Sequence, residues 1–384
     1  MTYEGNCRLG DLFTSRRERG RPGLPTLSVT LNDGLVNRED LDRKQETNLA
    51  PEEHLLVKPG DIAYNMMRMW QGAFGLADKE GIVSPAYVVL KSKAGIDPVY
   101  ATYLLKSPRM IYLLWAYSYG LTEDRLRLYF DDFAKIPTQL HSPVDQIRLA
   151  KIFTATDAQI RASMNLLMNT KATKAAVLNK LIKPRSRRQQ TGWTEFEFGE
   201  IVTRVREQFN PGNAENQEWC IELEHIDQES GQLCGHTVTG RSSSMKSCFQ
   251  AGDVLFGKLR PYLKKFWLSN RAGVCSSEIW VLRPNATVCA PDYLTCLLQS
   301  EQVMRAVAAS AGSKMPRAEW DFVERTTVLL PSLSEQQKIA EILDPLDKYV
   351  RQLGKYVEGL KAEQRGLIQK LFSPDRVHTV LELA

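Results

Sequence analysis

Leu330-Pro331-Ser332-Leu333-Ser334-Glu335-Gln336-Gln337-Lys338-Ile339-Ala340 opens the segment that decides the fold of this 384-residue chain. Ser334 is of a residue type that caps helices, and after it an apolar residue returns every seventh position: Ile339, Leu346, Leu353, Leu360 and Leu367. Leu343, Val350, Val357, Gln364 and Leu371 form the second row of the same seam. The pattern predicts one helix over residues 335–372, about 38 residues and ~57 Å long at ~1.5 Å per residue. No compact domain buries such a helix alone, so it needs a partner. Pro345 lies inside the run and is expected to kink or restart the helix near its entrance, because proline lacks the amide proton and crowds the preceding turn.

The partner is in the same chain, which is written twice with an offset of about 190 residues. Leu9-Gly10-Asp11-Leu12-Phe13 corresponds to Phe198-Gly199-Glu200-Ile201-Val202, and Pro59-Gly60-Asp61-Ile62 to Ala251-Gly252-Asp253-Val254. Val83–Leu90 corresponds to Cys275–Leu282. Tyr100, Leu104, Leu105 and Ser107 correspond to Tyr293, Leu297, Leu298 and Ser300. Asp145-Gln146, Ala150, Asp157 and Lys180-Leu181 correspond to Glu335-Gln336, Ala340, Asp347 and Lys370-Leu371. The first copy therefore supplies a helix over 144–183, with Phe153, Ile160, Leu167 and Leu181 in the seam and Lys174 in the place of Gln364. A polar seam residue costs stability and fixes register.

Each copy begins with short apolar runs between Gly and Pro, read as strands at Ala86–Leu90 and Glu278–Leu282, and with short helices at Tyr100–Lys106 and Tyr293–Gln299. The turn to long-helix character falls near Pro143 and Pro331. The expected fold class is mixed α/β: two similar domains joined by long antiparallel coiled-coil helices in a pseudo-twofold repeat. Assembly of several chains through these heptads is the competing reading, disfavoured because one chain already holds both seams at high effective concentration.

With 43% hydrophobic and 25% charged residues, the chain has material for real cores, and wholesale disorder is excluded. No uninterrupted apolar run of ~18 residues occurs and the amino terminus lacks a leader pattern, so a cytoplasmic protein without a membrane partner is expected. The net charge of +5 is unevenly spread, +8 over residues 1–191 and −3 over the remainder. The seven cysteines form no Cys-x-x-Cys pair, and Cys234-Gly235-His236 alone approaches a metal motif. Reduced structural thiols are the plainer reading, with no metal site expected.

A search for catalysis comes back nearly empty. Gly252–Lys258 has the Gly and Lys spacing of a phosphate loop, but Leu259 stands where a hydroxyl should hold Mg²⁺ and the interior reads as a strand. Asn210-Pro211-Gly212 lacks the second proline and aromatic of a base-methylation loop. Asp33, Asp42 and Lys44 imitate a metal-dependent nuclease, a spacing that arises readily by chance in a polar segment. No catalytic residue is assigned.

Binding residues are better represented. Arg16-Arg17-Glu18-Arg19 makes a dense basic loop, and Lys258-Leu259-Arg260-Pro261-Tyr262-Leu263-Lys264-Lys265 sets four cations and an aromatic at a turn. Asn65–Gln71 is the same place in the first copy and offers Arg68 and Gln71; Lys314 and Arg317 complete the set. Such groups neutralise phosphates and read base edges. A solvated charged surface is the plain alternative for any one of them, and Met67, Met69 and Trp70 could be core.

The segments Gly60–Tyr64, Met67–Gly72 and Gly81–Tyr87 resemble the first target-recognition domain of specificity subunits of type I restriction-modification systems. Lys258–Leu263, Cys275–Glu278 and Leu330–Ala340, leading to Gln369-Lys370-Leu371-Phe372, resemble the second. The resemblance covers nearly the whole chain. It implies target-recognition domains at 1–142 and 185–331, long helices at 143–184 and 332–373, and a tail at 374–384. It implies a non-catalytic subunit that reads a split, asymmetric site on double-stranded DNA and assembles with two modification (methyltransferase) subunits and with restriction (motor-nuclease) subunits. S-adenosylmethionine, ATP and Mg would then be bound by those partners and not here. Leu140-His141-Ser142-Pro143-Val144-Asp145-Gln146 departs from the pattern, with Asp for Glu and with His141 where the second copy has Pro331. The autonomous nuclease and a non-specific coiled-coil scaffold are the alternatives.

Overall fold

Two 39-residue helices, Pro143–Leu181 and Leu333–Leu371, occupy the heptad segments in a computed structural model that describes residues 3–41, 49–182, 192–212, 219–239, 244–312 and 315–373. Each starts one residue after a serine. The Asp145 amide reaches Ser142 Oγ (3.3 Å), and the Gln146 amide reaches the Ser142 carbonyl (2.9 Å). Likewise the amides of Glu335 and Gln336 donate to the Ser332 carbonyl, both at 2.9 Å. The second cap is thus Ser332, two residues before the expected Ser334, because the chain turns helical directly behind the extended Pro331. Pro345 does not restart the helix. It is exposed, while buried Leu343 and half-buried Leu346 on either side hold the helix onto the core of its unit, so the lost backbone bond is tolerated.

The residue after each acidic position is a buried glutamine with an equivalent task in both copies. Gln146 accepts from the Asp97 amide (2.9 Å) and donates to the carbonyls of Gly95 (3.1 Å) and His141 (3.0 Å). Gln336 accepts from the Ala290 amide (2.9 Å) and donates to the carbonyls of Val288 (2.7 Å) and Pro331 (3.0 Å). A buried amide with three partners ties the first turn of each long helix to the loop before a short helix. Leaving those backbone groups unpaired would cost ~1–3 kcal/mol each.

The chain divides into two units, Met1–Ala162 with Glu358–Ala384, and Ser163–Val357. The first holds an antiparallel sheet in the order Phe13–Arg16, Tyr87–Ser92, Ile62–Asn65, Phe74–Leu76; the second repeats that order with Val202–Arg204, Ile279–Pro284, Val254–Gly257, Phe266–Leu268. The Gly-Asp pairs before the central strands serve the turn. Gly60 and Gly252 take φ of +88° and +89°, a region costly for residues with a Cβ. Asp61 closes its turn by accepting from the Lys58 amide (2.9 Å) and holds Arg16, whereas Asp253 accepts from the Gln250 amide (2.8 Å) and holds Arg283. Two short helices follow each sheet, Pro98–Lys106 with Pro108–Ala116 and Pro291–Gln299 with Glu301–Ser310. Ser107 and Ser300 end one helix and cap the next, which explains their matched positions.

Away from these sheets the copies diverge. The second unit builds a further four-stranded sheet, Gln208–Phe209, Lys246–Phe249, Gly273–Ser276, Cys220–Ile221, with its last pair parallel. The first has two hairpin-like ribbons, Leu27–Thr30 with Gly34–Asn37 and Leu55–Val57 with Gly81–Val83.

Each core is completed by the end of the other copy's long helix. In the first unit Ile368 and Phe372 are buried, and the Phe372 ring lies 5.5, 5.8 and 6.2 Å from those of Tyr100, His141 and Phe153. In the second, Leu178 and Ile182 occupy the equivalent place, with Ile339 and Leu343. The seam's polar positions meet acids there: Gln364 donates to Asp157 (2.7 Å), which also accepts from Tyr103 (2.5 Å). Lys174 pairs with Asp347 and donates to Gln299 (2.8 Å). Asp157 and Asp347 are repeat equivalents, as are Lys174 and Gln364, so the pairs place the helix segments antiparallel in either unit.

The departure at His141 has a physical consequence. The Tyr100 hydroxyl bonds His141 Nδ1 at 2.8 Å, whereas the equivalent Tyr293 faces a copy with Pro331 in that place, and its buried hydroxyl has no partner among the described residues. Tyr100→Phe is therefore expected to cost about 1–3 kcal/mol, and Tyr293→Phe to leave stability unchanged or raise it by about 1 kcal/mol. Thermal and denaturant unfolding of the two variants checks this asymmetry.

Candidate nucleic-acid interface

In both units the third strand of the repeated sheet order runs out into a one-turn 3-10 helix, Met69–Gln71 after Ile62–Asn65 and Pro261–Leu263 after Val254–Gly257. The residue just before that turn is Arg68 in one unit and Arg260 in the other. Both are exposed, and neither guanidinium has a partner among the described residues. A returning segment is bound beside each turn: the Leu128 amide donates to the Met66 carbonyl and the Ala318 amide to the Lys258 carbonyl, both at 2.9 Å. The returning segments bring Arg127 to one turn and Arg317 to the other.

The same turns and returning segments carry large exposed apolar side chains. Met67, Tyr119 and Leu121 are exposed in the first unit, Tyr262 and Met315 in the second, with Leu121 94% exposed. Single exposed apolar residues are ordinary, but several of them around unpaired arginines make a surface suited to base edges and thymine methyl groups as well as phosphates. Backbone strain marks the second turn: Arg260 and Lys264 adopt φ of +51° and +46°, left-handed values that cost a residue with a Cβ ~1–2 kcal/mol.

The other candidates separate by partner. Arg17 and Arg19 are exposed, Lys258 is half-buried just past its strand, and none of the three side chains has a partner among the described residues. Gln71 is exposed on the 3-10 turn. Arg16 is turned inward, its guanidinium holding Asp61 at 2.6 and 3.0 Å and pairing with Glu18; these hydrogen bonds raise its pKa further. Lys265 donates to the Leu223 carbonyl (2.7 Å), Lys264 lies 4.0 Å from Glu229, and Arg317 donates to Glu278 (2.9 Å). Lys314 lies outside the described residues. Arg125 and Arg127, both exposed, were missed in the sequence reading; the offset of about 190 that aligns Arg127 with Arg317 would have found one of them.

The catalytic look-alikes take other roles. Gly252–Lys258 is a turn and a strand, with Asp253 engaged by Arg283 at 2.7 and 2.8 Å. Asp33 sits at a hairpin tip, its amide bonded to Thr30, while Asp42 and Lys44 lie outside the described residues. His236 stacks on Trp219 at 3.9 Å and Cys234 donates to the Glu224 carbonyl. Among the described residues no three His, Cys, Asp or Glu side chains gather as a metal site.

Residues 244–357 match the family described as the type I restriction modification DNA specificity domain. The chain is similar to the type I restriction enzyme HindI specificity subunit of Haemophilus influenzae, 25% identical over 173 residues that make up 40% of this chain and 35% of that protein. It is similar to the EcoDI specificity subunit of Escherichia coli, 23% identical over 151 residues, 39% of this chain and 34% of that one. The matches thus span about a third of these curated relatives' own length. In fold it is similar to the type I restriction-modification S subunit from M. genitalium, with a TM-score of 0.60 at 16% identity, covering 97% of this chain and 96% of the other.

A strained, exposed arginine is expected to serve binding at the expense of the fold. Arg260→Gly should leave unfolding stability unchanged or raise it by up to about 1 kcal/mol, since glycine adopts positive φ freely but adds entropy to the unfolded chain. The same variant should weaken DNA binding. Melting temperature and a DNA titration, measured on one preparation, test both halves.

Proposed function

We propose that this chain, which resembles type I restriction-modification specificity subunits in sequence and fold, reads a bipartite asymmetric DNA site and leaves the chemistry to partners. One observation carries the reading: two units with the same strand order each present an arginine at the same turn, and the residues around that arginine differ. Met66-Met67-Arg68-Met69-Trp70-Gln71 and Lys258-Leu259-Arg260-Pro261-Tyr262-Leu263 share the frame and Arg68/Arg260, and little else. Arginine donates twice to guanine O6 and N7, glutamine pairs with adenine, and apolar tips meet thymine methyl groups, so different flanks select different half-sites.

In this reading two modification subunits bring S-adenosylmethionine, restriction subunits bring ATP and Mg, and the work is done in the cytoplasm on host and incoming DNA. No described helix is long and apolar enough to cross a membrane. Arg17 and Arg19, exposed and without a side-chain partner among the described residues, supply attraction to phosphates in the first unit.

Sequencing the methylated bases of the host with and without this chain tests the reading: one split motif should vanish on deletion. Replacing residues 1–142 by the corresponding domain of a relative should change one half of that motif and preserve the other. A swap that assembles and alters both halves would refute independent readers. Arg17→Ala should weaken binding to every duplex and flatten the dependence of log K on log salt by about 0.9 for one lost phosphate contact. An unchanged slope would remove Arg17 from the interface.

A further inference from the structure

A second basic feature of the Ser163–Val357 unit lies outside the turn just described. Arg204 ends the strand Val202–Arg204, Gln208 begins the strand Gln208–Phe209, and Arg206 lies on the link between them. All three line a cleft of about 300 Å³ with Ser247 and Ser277. The register fixes them there: Arg204 lies opposite Leu282, the Val205 amide donates to the Val281 carbonyl (2.9 Å), and Gln208 lies opposite Ser247. Between the two arginines Val205 lines the cleft as well. Val205 packs on the cluster around Ile221 and Phe249, and the Glu207 charge bears on Arg283.

The cleft has cations, amide and hydroxyl donors, and no carboxylate in its lining. Neither Arg204 nor Arg206 has a side-chain partner among the described residues, although Arg16, Arg283 and Arg317 all hold acids. Two guanidinium groups lining one cleft repel each other, and an anion held between them would relieve that repulsion. The cleft is also continuous with the reading edge. Ser277 lines it, and its neighbour Glu278 accepts at its carbonyl from the Lys258 amide (3.0 Å) and at its carboxylate from Arg317 (2.9 Å). In the other unit the places of Arg206 and Gln208 are held by Arg17 and Arg19, again two apart and exposed.

The geometry points to this cleft as the seat of a DNA-backbone phosphodiester beside the bases met by the Lys258–Lys265 turn, a contact that positions the duplex and reads no sequence. It rests on the DNA-reading function proposed above and assigns Arg204, Arg206, Ser247 and Ser277 to the phosphate.

The test uses the full chain co-expressed with its modification subunits, and duplexes with and without the methylated motif, titrated in NaCl. Arg204→Ala/Arg206→Ala should flatten the salt slope by about 0.9 on both duplexes, for one phosphate, and leave the identity of the methylated motif unchanged. Arg206→Lys should restore most of the slope. A single methylphosphonate placed along the duplex should weaken wild-type binding at one position and lose that effect in the double variant. An unchanged slope in a double variant of normal melting temperature overturns the proposal, and so does an altered motif, which would make these residues base readers. Should the double variant not fold, the exposed single change Arg206→Gln gives the same readings. Inorganic phosphate separates the anion sources: if it raises the melting temperature of the wild type alone while DNA slopes coincide, the cleft takes a free anion and the proposal falls. Loss of motif-specific methylation in the wild-type complex would instead refute the DNA-reading function itself.

Discussion

Each sheet-rich unit has an apolar flank that its own copy of the sequence cannot cover, and the end of the other copy's long helix covers it. Phe372 and Ile368 are core residues of the first unit although more than two hundred positions separate them from Phe153. Leu178 and Ile182, at the end of the first copy's long helix, are core residues of the second. Burial of such side chains is worth ~1.5–3 kcal/mol each, so neither core is complete without residues from the other copy's long helix. The heptads, the helix lengths and the repeat all follow from that requirement.

Polar groups make the packing specific. Apolar stripes slide, but Gln364 on Asp157 and Lys174 on Asp347 satisfy each other in one register only. Gln146 and Gln336 anchor the helix entrances in the same manner, each with three bonds to backbone groups. Buried polar networks of this kind penalise every arrangement that leaves a member unpaired. Both copies hold residue types that perform these tasks, and Tyr293 has no hydroxyl partner among the described residues where its copy has Pro331 in the place of His141.

At the sheet edges the logic is reversed. Arginines that serve the fold hold acids, as Arg16 does with Asp61 and Arg283 with Asp253. Arg68 and Arg260, like Arg204 and Arg206, have no acidic partner among the described residues, and Arg260 sits on strained backbone. Unpaired charge and strain are costs to stability that a binding surface recovers only when its ligand arrives.

Sequence alone determined the two long helices, the repeat, the mixed α/β class and the positions of the turns, because periodicity and Gly-Asp punctuation are local signals that survive without coordinates. It also placed Arg68 and Arg260 at equivalent positions. It expected a kink or restart at Pro345, where the helix is not restarted, and it put the second helix cap at Ser334 instead of Ser332. It could not sort the cations: Arg16 and Arg17 are adjacent and chemically identical in the sequence, yet one faces Asp61 across the sheet and the other faces solvent. That choice is made by strand pairing between residues tens of positions apart, and the cleft of Arg204, Arg206, Ser247 and Ser277 exists only once three separate segments have been brought together.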